Sequence, residues 1–343
     1  MGSKLGVHVL GWTNGNEILD FIGRIQPNII KIVGPNAHDT AKMAEAKRRS
    51  PNSLWLLRYY VDIQPLDNPT QNALDFFELL KPYLDQYDLF EGYNEPPPFS
   101  IDDWKRINEF TVTLSEKIRG AGKKSVAYCW SNGQPPNEAW NYLKAGLEAS
   151  DYLSLHGYGW PIMSGCPQFT LRYREIYNLL PIKKPLILSE VGMTQAVFGG
   201  PDLGWRYWAT PVGMMRREDR AAAEWAWFLD RINEDAHVVA ANIYTTGRLQ
   251  GDQWVSHDFT VRLYKLVGDY IVGHPGPAPQ PAPAPQPIPA PPPPQPPPIS
   301  PIPSGSYPNF ERPPNDNGQG IHLPGEIGPA RMPGWVKSCQ EMK

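Results

Sequence analysis

Eight short apolar segments, separated by stretches with helical periodicity, restrict this chain to a small number of folds. The first seven segments begin 24 to 36 residues apart, which leaves room for one helix in each connection, and a longer insertion precedes the eighth. Their apolar character is continuous rather than alternating, which is typical of strands in a parallel sheet that is covered on both faces. The predicted strands are Leu5–Gly11, Ile29–Gly34, Leu54–Val61, Leu89–Glu95, Ser125–Ser131, Tyr152–Tyr158, Leu186–Val191 and Val238–Thr245.

The intervening stretches repeat apolar residues at three- and four-residue steps, as one face of a helix does. The clearest examples lie within residues 101–118, 221–232 and 263–271. Eight strand–helix units in about 270 residues predict an α/β fold, a single (β/α)8 TIM barrel over residues 1–273. An open, doubly wound sheet is the alternative, but residues 11–15 (Gly-Trp-Thr-Asn-Gly) lack the glycine pattern of a dinucleotide-binding turn.

Proline is the compositional outlier, with 40 residues in the chain. Seventeen of them lie between residues 275 and 303, where no charged residue occurs, so residues 274–304 are predicted to be an extended linker of polyproline II type. Residues 305–343 are predicted to be an irregular tail and a candidate docking segment, because their apolar supply is too small for an independent core. The large apolar side chains of this tail are Tyr307, Phe310 and Trp335.

Composition excludes several classes of protein. Hydrophobic residues make up 41% and charged residues 20%, which suits a globular protein with a full core. A net charge of −3 argues against a nucleic-acid partner, and no window of about 20 apolar residues predicts a membrane span. Cys129, Cys166 and Cys339 are too few for a disulfide scaffold and lack the spacing of a zinc site.

Two glutamates stand at the ends of otherwise apolar strands. Glu95 ends the fourth predicted strand and Glu190 follows the apolar start of the seventh. Because the carboxyl ends of barrel strands surround one mouth, the two side chains are expected to meet there. Two carboxyl groups about 5 Å apart are what retaining glycoside hydrolysis requires. The alternative is structural: each glutamate caps a helix or pairs with Lys31 or Arg58.

The run from Glu91 to Pro96, Glu-Gly-Tyr-Asn-Glu-Pro, resembles the strand-four signature of the clan A glycoside hydrolases, the 4/7 superfamily of TIM barrels. In that clan an Asn-Glu-Pro sequence ends strand four and supplies the acid/base, and a second glutamate ends strand seven as the nucleophile. Both motifs fall here on the corresponding strands, and the resemblance covers residues 5–272. It implies a retaining glycoside hydrolase with Glu95 as acid/base, Glu190 as nucleophile, and neither cofactor nor metal.

The resemblance also implies residues that bind substrate. Asn94 would hold the sugar 2-hydroxyl, an interaction that strengthens in the transition state. His156 and Tyr158 have the same parity on strand six and can both face the mouth, where the clan commonly places a His or Tyr on the nucleophile or sugar. The alternative for His156 is a core histidine whose hydrogen bonds are satisfied within the barrel.

Two positions depart from the clan pattern. An arginine near the end of strand two is replaced by Lys31, and a tryptophan near the end of strand eight is replaced by Tyr244. By the resemblance both residues are predicted to bind substrate, and Tyr244 could stack on a sugar. We also assign Trp130, at the end of strand five, to substrate binding, because indole rings suit the apolar faces of sugars. Other aromatic residues of the mouth loops either extend this surface or pack the loops against the barrel. They are Trp12, Trp160, Phe198, Trp205, Tyr207 and Trp208.

Other hydrolase classes fit less well, since the histidines are scattered and no Gly-x-Ser-x-Gly motif occurs. The remaining alternative is a catalytically weak or inactive carbohydrate-binding or structural barrel, tethered to a larger assembly through its Pro-rich tail. The expected partners are a carbohydrate and, for the tail, a protein or a cell surface. A poly- or oligosaccharide substrate favours a secreted, cell-surface or particle-associated location, although no signal-peptide pattern is visible at the N-terminus. The sugar, the linkage and endo or exo action stay open.

Overall fold

In the computed structural model, eight parallel strands close into a barrel in their chain order, with β1 pairing with both β2 and β8. This confirms the predicted (β/α)8 barrel and excludes the open sheet. The strands are β1 (Leu5–Val9), β2 (Ile29–Gly34), β3 (Leu54–Tyr59), β4 (Leu89–Glu91), β5 (Lys124–Trp130), β6 (Tyr152–Gly159), β7 (Leu186–Met193) and β8 (Val238–Ile243).

The structure describes residues 2–96, 100–208, 215–248 and 253–275. The predicted linker, apart from its first two residues, and the predicted tail therefore lie outside the described residues and stay predictions. Within the described ranges, no helix combines the length and apolar character needed to cross a membrane.

Helices follow the strands and cover the barrel, and the three predicted helical patterns lie in α4, α8 and α9. Four helices begin at a side chain that accepts a hydrogen bond from the backbone N–H three residues later; these caps are Asp39, Asn68, Ser100 and Thr260. The helices are α1 (Gly15–Ile25), α2 (Thr40–Arg49), α3 (Pro69–Leu80), α4 (Ile101–Gly120), α5 (Lys144–Ala149), α6 (Pro167–Thr170), α7 (Tyr173–Leu179), α8 (Arg217–Glu234) and α9 (Val261–Gly273).

Side chains that point into the barrel form an apolar layer near the start of the strands. Successive strand residues point to opposite faces, so every second residue faces inward. The outward residues pack with the helices in a separate, larger core. The apolar layer consists of Ile29, Leu56, Leu89, Val126, Tyr152, Ile187 and Ala240.

The next inward positions, two residues later on six of these strands, are all polar. Barrels of this fold usually continue with branched apolar side chains at such levels. We call this set the polar layer, and it places charged and hydroxyl groups directly below the barrel mouth. Its members are Lys31, Arg58, Glu91, Ser154, Ser189 and Asn242.

Candidate active site

Glu190 lies near the carboxyl end of β7, almost fully buried, with a hydrogen-bonding partner on each carboxylate oxygen. Arg58 Nη1 donates to Oε1 at 2.9 Å, and Lys31 Nζ lies 3.4 Å from the same oxygen. The Tyr158 hydroxyl donates to Oε2 at 2.8 Å, and His156 Nδ1 lies 3.6 Å from it. The pairing with Lys31 and Arg58 that the structural alternative predicted is present, and it surrounds one carboxylate with cations.

These cations determine the charge of Glu190. Burial alone would raise its pKa, but the positive charges of His156, Lys31 and Arg58 outweigh burial and hold the pKa well below its ordinary value. Glu190 is therefore ionised at neutral pH. His8 of β1, whose Nδ1 is 3.9 Å from Glu190, is fully buried, and burial lowers its pKa well below the ordinary value, so it contributes a neutral ring.

Glu95 lies in a different environment, on the loop that follows β4. The strand ends at Glu91, four residues earlier than predicted, and Glu95 adopts a left-handed backbone conformation with φ of 47°. Its backbone N–H donates to the carbonyl of Cys129 at 3.0 Å, which ties this loop to β5. The Glu95 side chain is 42% exposed, so it can reach a ligand in solvent.

His156 lies between the two glutamates. Its Nδ1 is 2.7 Å from Glu95 Oε1 and 3.6 Å from Glu190 Oε2. Burial lowers the pKa of His156, but the charge of Glu190 and hydrogen bonds to Cys129 and Glu95 outweigh it and raise the pKa to about 10. The ring is thus an imidazolium at neutral pH. The ring is buried and its partners lie within the barrel, as the core-histidine alternative predicts, and one of those partners is Glu95.

The two carboxyl groups are close. A carboxylate oxygen of Glu95 and one of Glu190 lie within 4.8 Å of each other, and both lie within that distance of a ring nitrogen of His156. Retaining glycosidases separate their carboxyl groups by about 5–5.5 Å, and inverting ones by about 6.5–9.5 Å. The separation here lies below the inverting range and nearest to the retaining one.

The same three residues could approach one metal ion, but their surroundings favour a proton. Lys31 and Arg58 already neutralise Glu190. A protonated imidazole offers no lone pair to a metal, and the pKa of His156 keeps it protonated at neutral pH. The arrangement therefore suits acid–base chemistry better than metal chemistry.

Cys129 connects Asn94 with His156 beneath the mouth. Its sulfur is 3.3 Å from Asn94 Oδ1 and 3.4 Å from His156 Nε2. With His156 protonated, Nε2–H donates to the sulfur and the thiol donates to Asn94. Oδ1 of Asn94 then accepts one hydrogen bond from the thiol, and the amide N–H groups are donors that a ligand could meet.

Three predicted substrate-binding residues need comment. Lys31 is fully buried below Glu190, so it contacts the carboxylates and leaves no surface for a sugar. Trp130 is also fully buried and stacks on Tyr128, which contradicts its prediction as a sugar platform. Tyr244 is 8% exposed and packs edge-to-face on Tyr158 at a centroid distance of 5.8 Å. It therefore contacts Tyr158, the residue that donates a hydrogen bond to Glu190.

The remaining mouth aromatics divide into two groups. Trp205 and Trp208 are buried and pack the loops against the barrel, as the alternative predicted. Trp12 and Trp160 are partly exposed, and Tyr207 is 59% exposed. The Phe198 side chain lies outside the described part of the structure.

Comparison with known proteins places the fold in context. No protein-family model matches the chain, and no curated protein matches it. Among solved structures, AbfB from Bifidobacterium longum, a family 51 α-L-arabinofuranosidase, aligns over 80% of this chain and 72% of its own, with 11% identity and a TM-score of 0.52. The chain therefore shares the (β/α)8 barrel fold of this enzyme.

Other solved structures are similar at lower overlap. A GH128 exo-β-1,3-glucanase from Aureobasidium namibiae aligns over 78% of this chain and 96% of its own, with 16% identity and a TM-score of 0.46. N2152 from Neocallimastix frontalis aligns over 55% of this chain, at 15% identity and a TM-score of 0.41, and this chain spans about half of that protein (52%).

Sequence reasoning assigned no role in the chemistry to several residues of this site. Arg58 was predicted only as an ion-pair partner in the structural alternative. Both Arg58 and Glu91 are charged residues in otherwise apolar strands, and this pattern could have indicated a role in the site. Ser154 and Ser189 could have been found from strand parity, since they lie two residues beyond inward apolar positions. Cys129 could not, because β5 shifts register between Ala127 and Trp130. That bulge sets which side chains face inward.

Proposed function

We propose that this protein is a retaining glycoside hydrolase that cleaves an oligo- or polysaccharide by double displacement. The observation that carries the proposal is the approach of Glu95 and Glu190 to within 4.8 Å in contrasting environments. Glu190 is buried and held ionised by cations, as a nucleophile must be. Glu95 is exposed and bonded to His156, as a group that exchanges protons with substrate and water must be.

In the first step, a Glu190 oxygen forms a bond to the anomeric carbon while the bond from that carbon to the leaving oxygen breaks. The leaving oxygen takes the proton of Glu95, and a glycosyl ester on Glu190 results. In the second step, water attacks the anomeric carbon, Glu95 accepts a proton from that water, and the ester bond breaks. Both displacements together retain the anomeric configuration.

His156 lies between the two carboxyl groups that carry the negative charge in turn during this cycle. Before the first step the negative charge is on Glu190, and after it the charge is on Glu95, because the ester is neutral and the acid has lost its proton. The imidazolium is 2.7 Å from one carboxylate and 3.6 Å from the other, so it is a counter-ion to both. A fixed dipole or charge that needs no reorganisation lowers the barrier of such a step.

The decisive experiment is a hydrolysis screen on oligo- and polysaccharides, with NMR detection of the first anomer formed. We expect a product of retained configuration, and loss of turnover in Glu190→Gln and Glu95→Gln. Glu116→Gln, an exposed change on α4, is the matched control and should hydrolyse at the wild-type rate. A product of inverted configuration, or turnover that survives Glu190→Gln, would overturn the proposal.

The alternative function is a carbohydrate-binding barrel without turnover. One observation favours it: the two aromatic residues predicted to stack on a sugar are covered, since Trp130 is fully buried and Tyr244 is 8% exposed. Sugar binding by the wild-type chain with no product from any member of the panel would support this alternative over the hydrolase.

A further inference from the structure

The polar layer holds two full charges that no solvent reaches. Lys31 and Glu91 are both fully buried, and Lys31 Nζ lies 2.9 Å from Glu91 Oε2. Burying a charge pair is costly, and apolar side chains of similar size often stabilise a core as well or better. A structural role alone therefore does not explain why β2 and β4 place these residues where the fold usually places apolar ones.

Lys31 is shared between two carboxylates. Besides the contact with Glu91, its ammonium lies 3.4 Å from Glu190 Oε1 and 3.1 Å from Ser189 Oγ. Of its three N–H groups, two donate to Ser189 and Glu190, while Glu91 Oε2 is an ion-pair partner at 2.9 Å. Lys31 can therefore hold one oxygen of Glu190 in a fixed position.

Glu91 in turn holds Lys31. Its Oε1 accepts a hydrogen bond from the Ser154 hydroxyl at 2.8 Å, and its Oε2 faces Lys31. Burial raises the pKa of Glu91, but the charge and hydrogen bond of Lys31 and hydrogen bonds from serines outweigh it and lower the pKa, so Glu91 is ionised. Burial lowers the pKa of Lys31, and Glu91 and Glu190 raise it above its ordinary value.

We propose that Glu91 and Lys31 form a positioning pair that sets the orientation and charge of Glu190 from below, with Glu91 limiting how much of the positive charge of Lys31 acts on Glu190. Neither residue touches substrate, because neither is exposed. This inference rests on the proposed function of Glu190 as nucleophile.

Other groups act on Glu190 at the same time, so the test must separate Lys31 and Glu91 from them. The groups that face Glu190 from the surrounding elements are His8 of β1, Lys31 of β2, Arg58 of β3, Glu95 of the loop after β4, and His156 and Tyr158 of β6. All of these except Lys31 stay unchanged in the variants below.

The two single variants are expected to shift the pKa of Glu190 in opposite directions. Lys31→Met removes a cation beside Glu190, so the acidic limb of the pH–rate profile should move to higher pH. Glu91→Gln leaves Lys31 with Glu190 as its remaining charged partner, so the limb should move to lower pH. General loss of stability would not give shifts of opposite sign.

The double variant Lys31→Met/Glu91→Gln separates positioning from folding. Lys31→Met leaves Glu91 as an unpaired buried charge, and Glu91→Gln leaves the buried Lys31 with one charged partner instead of two, so each single change should lower Tm. The double change removes both charges and should restore Tm towards the wild-type value. We expect kcat of the double variant to stay about 100-fold below wild type with little change in KM, because a misplaced reacting group costs about that factor. Ser115→Ala, which breaks a buried serine pair with Ser150 on the outside of the barrel, is the control and should lower Tm without moving the limb.

A readout that needs no substrate keeps this inference apart from the proposed function. In protein labelled with ¹³C in the glutamate carboxyl groups, the Glu190 resonance should titrate at higher pH in Lys31→Met and at lower pH in Glu91→Gln. If those shifts occur but no substrate is hydrolysed, the proposed hydrolase function is wrong and the proposed role of Glu91 and Lys31 in setting the charge of Glu190 is supported. The positioning role of Glu91 and Lys31 would be contradicted if the double variant kept the wild-type kcat. It would also be contradicted if the pKa of Glu190 were unchanged in both single variants.

Discussion

The backbone N–H of Glu95 donates to the carbonyl of Cys129, and this 3.0 Å contact joins the loop after β4 to a distorted part of β5. Tyr128 and Cys129 both have positive φ, at 72° and 49°, and Glu95 has φ of 47°. Residues other than glycine adopt this region only when their surroundings enforce it, and they cluster at functional sites. The contact therefore fixes the exposed carboxylate over the buried one.

On the proposed function, Tyr158→Phe should lower the reactivity of Glu190 as nucleophile without harming the fold. The change removes the hydroxyl that donates to Glu190 Oε2 at 2.8 Å and keeps the ring that packs on Tyr244. A hydrogen bond to a charged group contributes about 1.5–3 kcal/mol, so kcat/KM should fall about 10- to 100-fold. Steady-state kinetics and a thermal melt check this; an unchanged kcat/KM would contradict the geometry.

His156→Gln should change how stability depends on pH. The pKa of His156 is raised to about 10 in the folded chain, against about 6.5 for an unperturbed histidine. The stabilisation is complete below pH 6.5 and is lost as pH rises towards 10, by up to about 1.4 kcal/mol per pH unit. Denaturant titrations from pH 6 to 10 should therefore show a steeper fall for wild type than for His156→Gln. Parallel curves would contradict a protonated His156.

Cys129 should act through its hydrogen bonds rather than its reactivity. Cys129→Ser keeps a small group that can accept from His156 and donate to Asn94, so its kcat should stay close to wild type. Cys129→Ala removes both links and should lower kcat by about 5- to 10-fold, since one neutral hydrogen bond contributes about 1 kcal/mol. Equal kinetics in the alanine and serine variants would show that the sulfur only fills space.

A chain that ends after Pro275 should fold and unfold like the full chain. The helix α9, which packs on α1 and α8, is complete at Gly273, and every strand of the barrel precedes it. We expect the same Tm and the same activity on small soluble substrates. A lower Tm, or loss of activity, would mean that residues beyond 275 belong to the barrel fold.

The barrel was predictable because strand identity depends on composition that is local in the sequence. Eight apolar runs and three amphipathic patterns predicted the strands and helices at nearly their observed positions. The error at β4 has a physical cause: Gly92 and Tyr93 look apolar enough to extend a strand, but only Leu89 to Glu91 pair with β5. The chain then turns, and the turn is what exposes Glu95.

The sequence predicted which side chains of the candidate site lie close together, but not how deep in the barrel each of them lies. Parity on β6 correctly brought His156 and Tyr158 to the carboxylates. Parity cannot tell how far below the mouth an inward residue lies. Lys31, which is predicted to contact substrate because it takes the place of the clan arginine, lies fully buried beside Glu190. The prediction that Trp130 binds a sugar was wrong for another reason. The β5 bulge changes which residues near the end of that strand face inward.

The polar layer links the thermal stability of this barrel to its proposed chemistry. Selection for stability alone would favour apolar replacements at Lys31 and Glu91, because a packed hydrocarbon interior needs no compensating charges. Such variants would be thermostable barrels that no longer hold an ionised Glu190 in place. Any laboratory evolution of this chain for thermostability therefore needs a parallel screen for turnover, since the two properties compete at the same few inward positions.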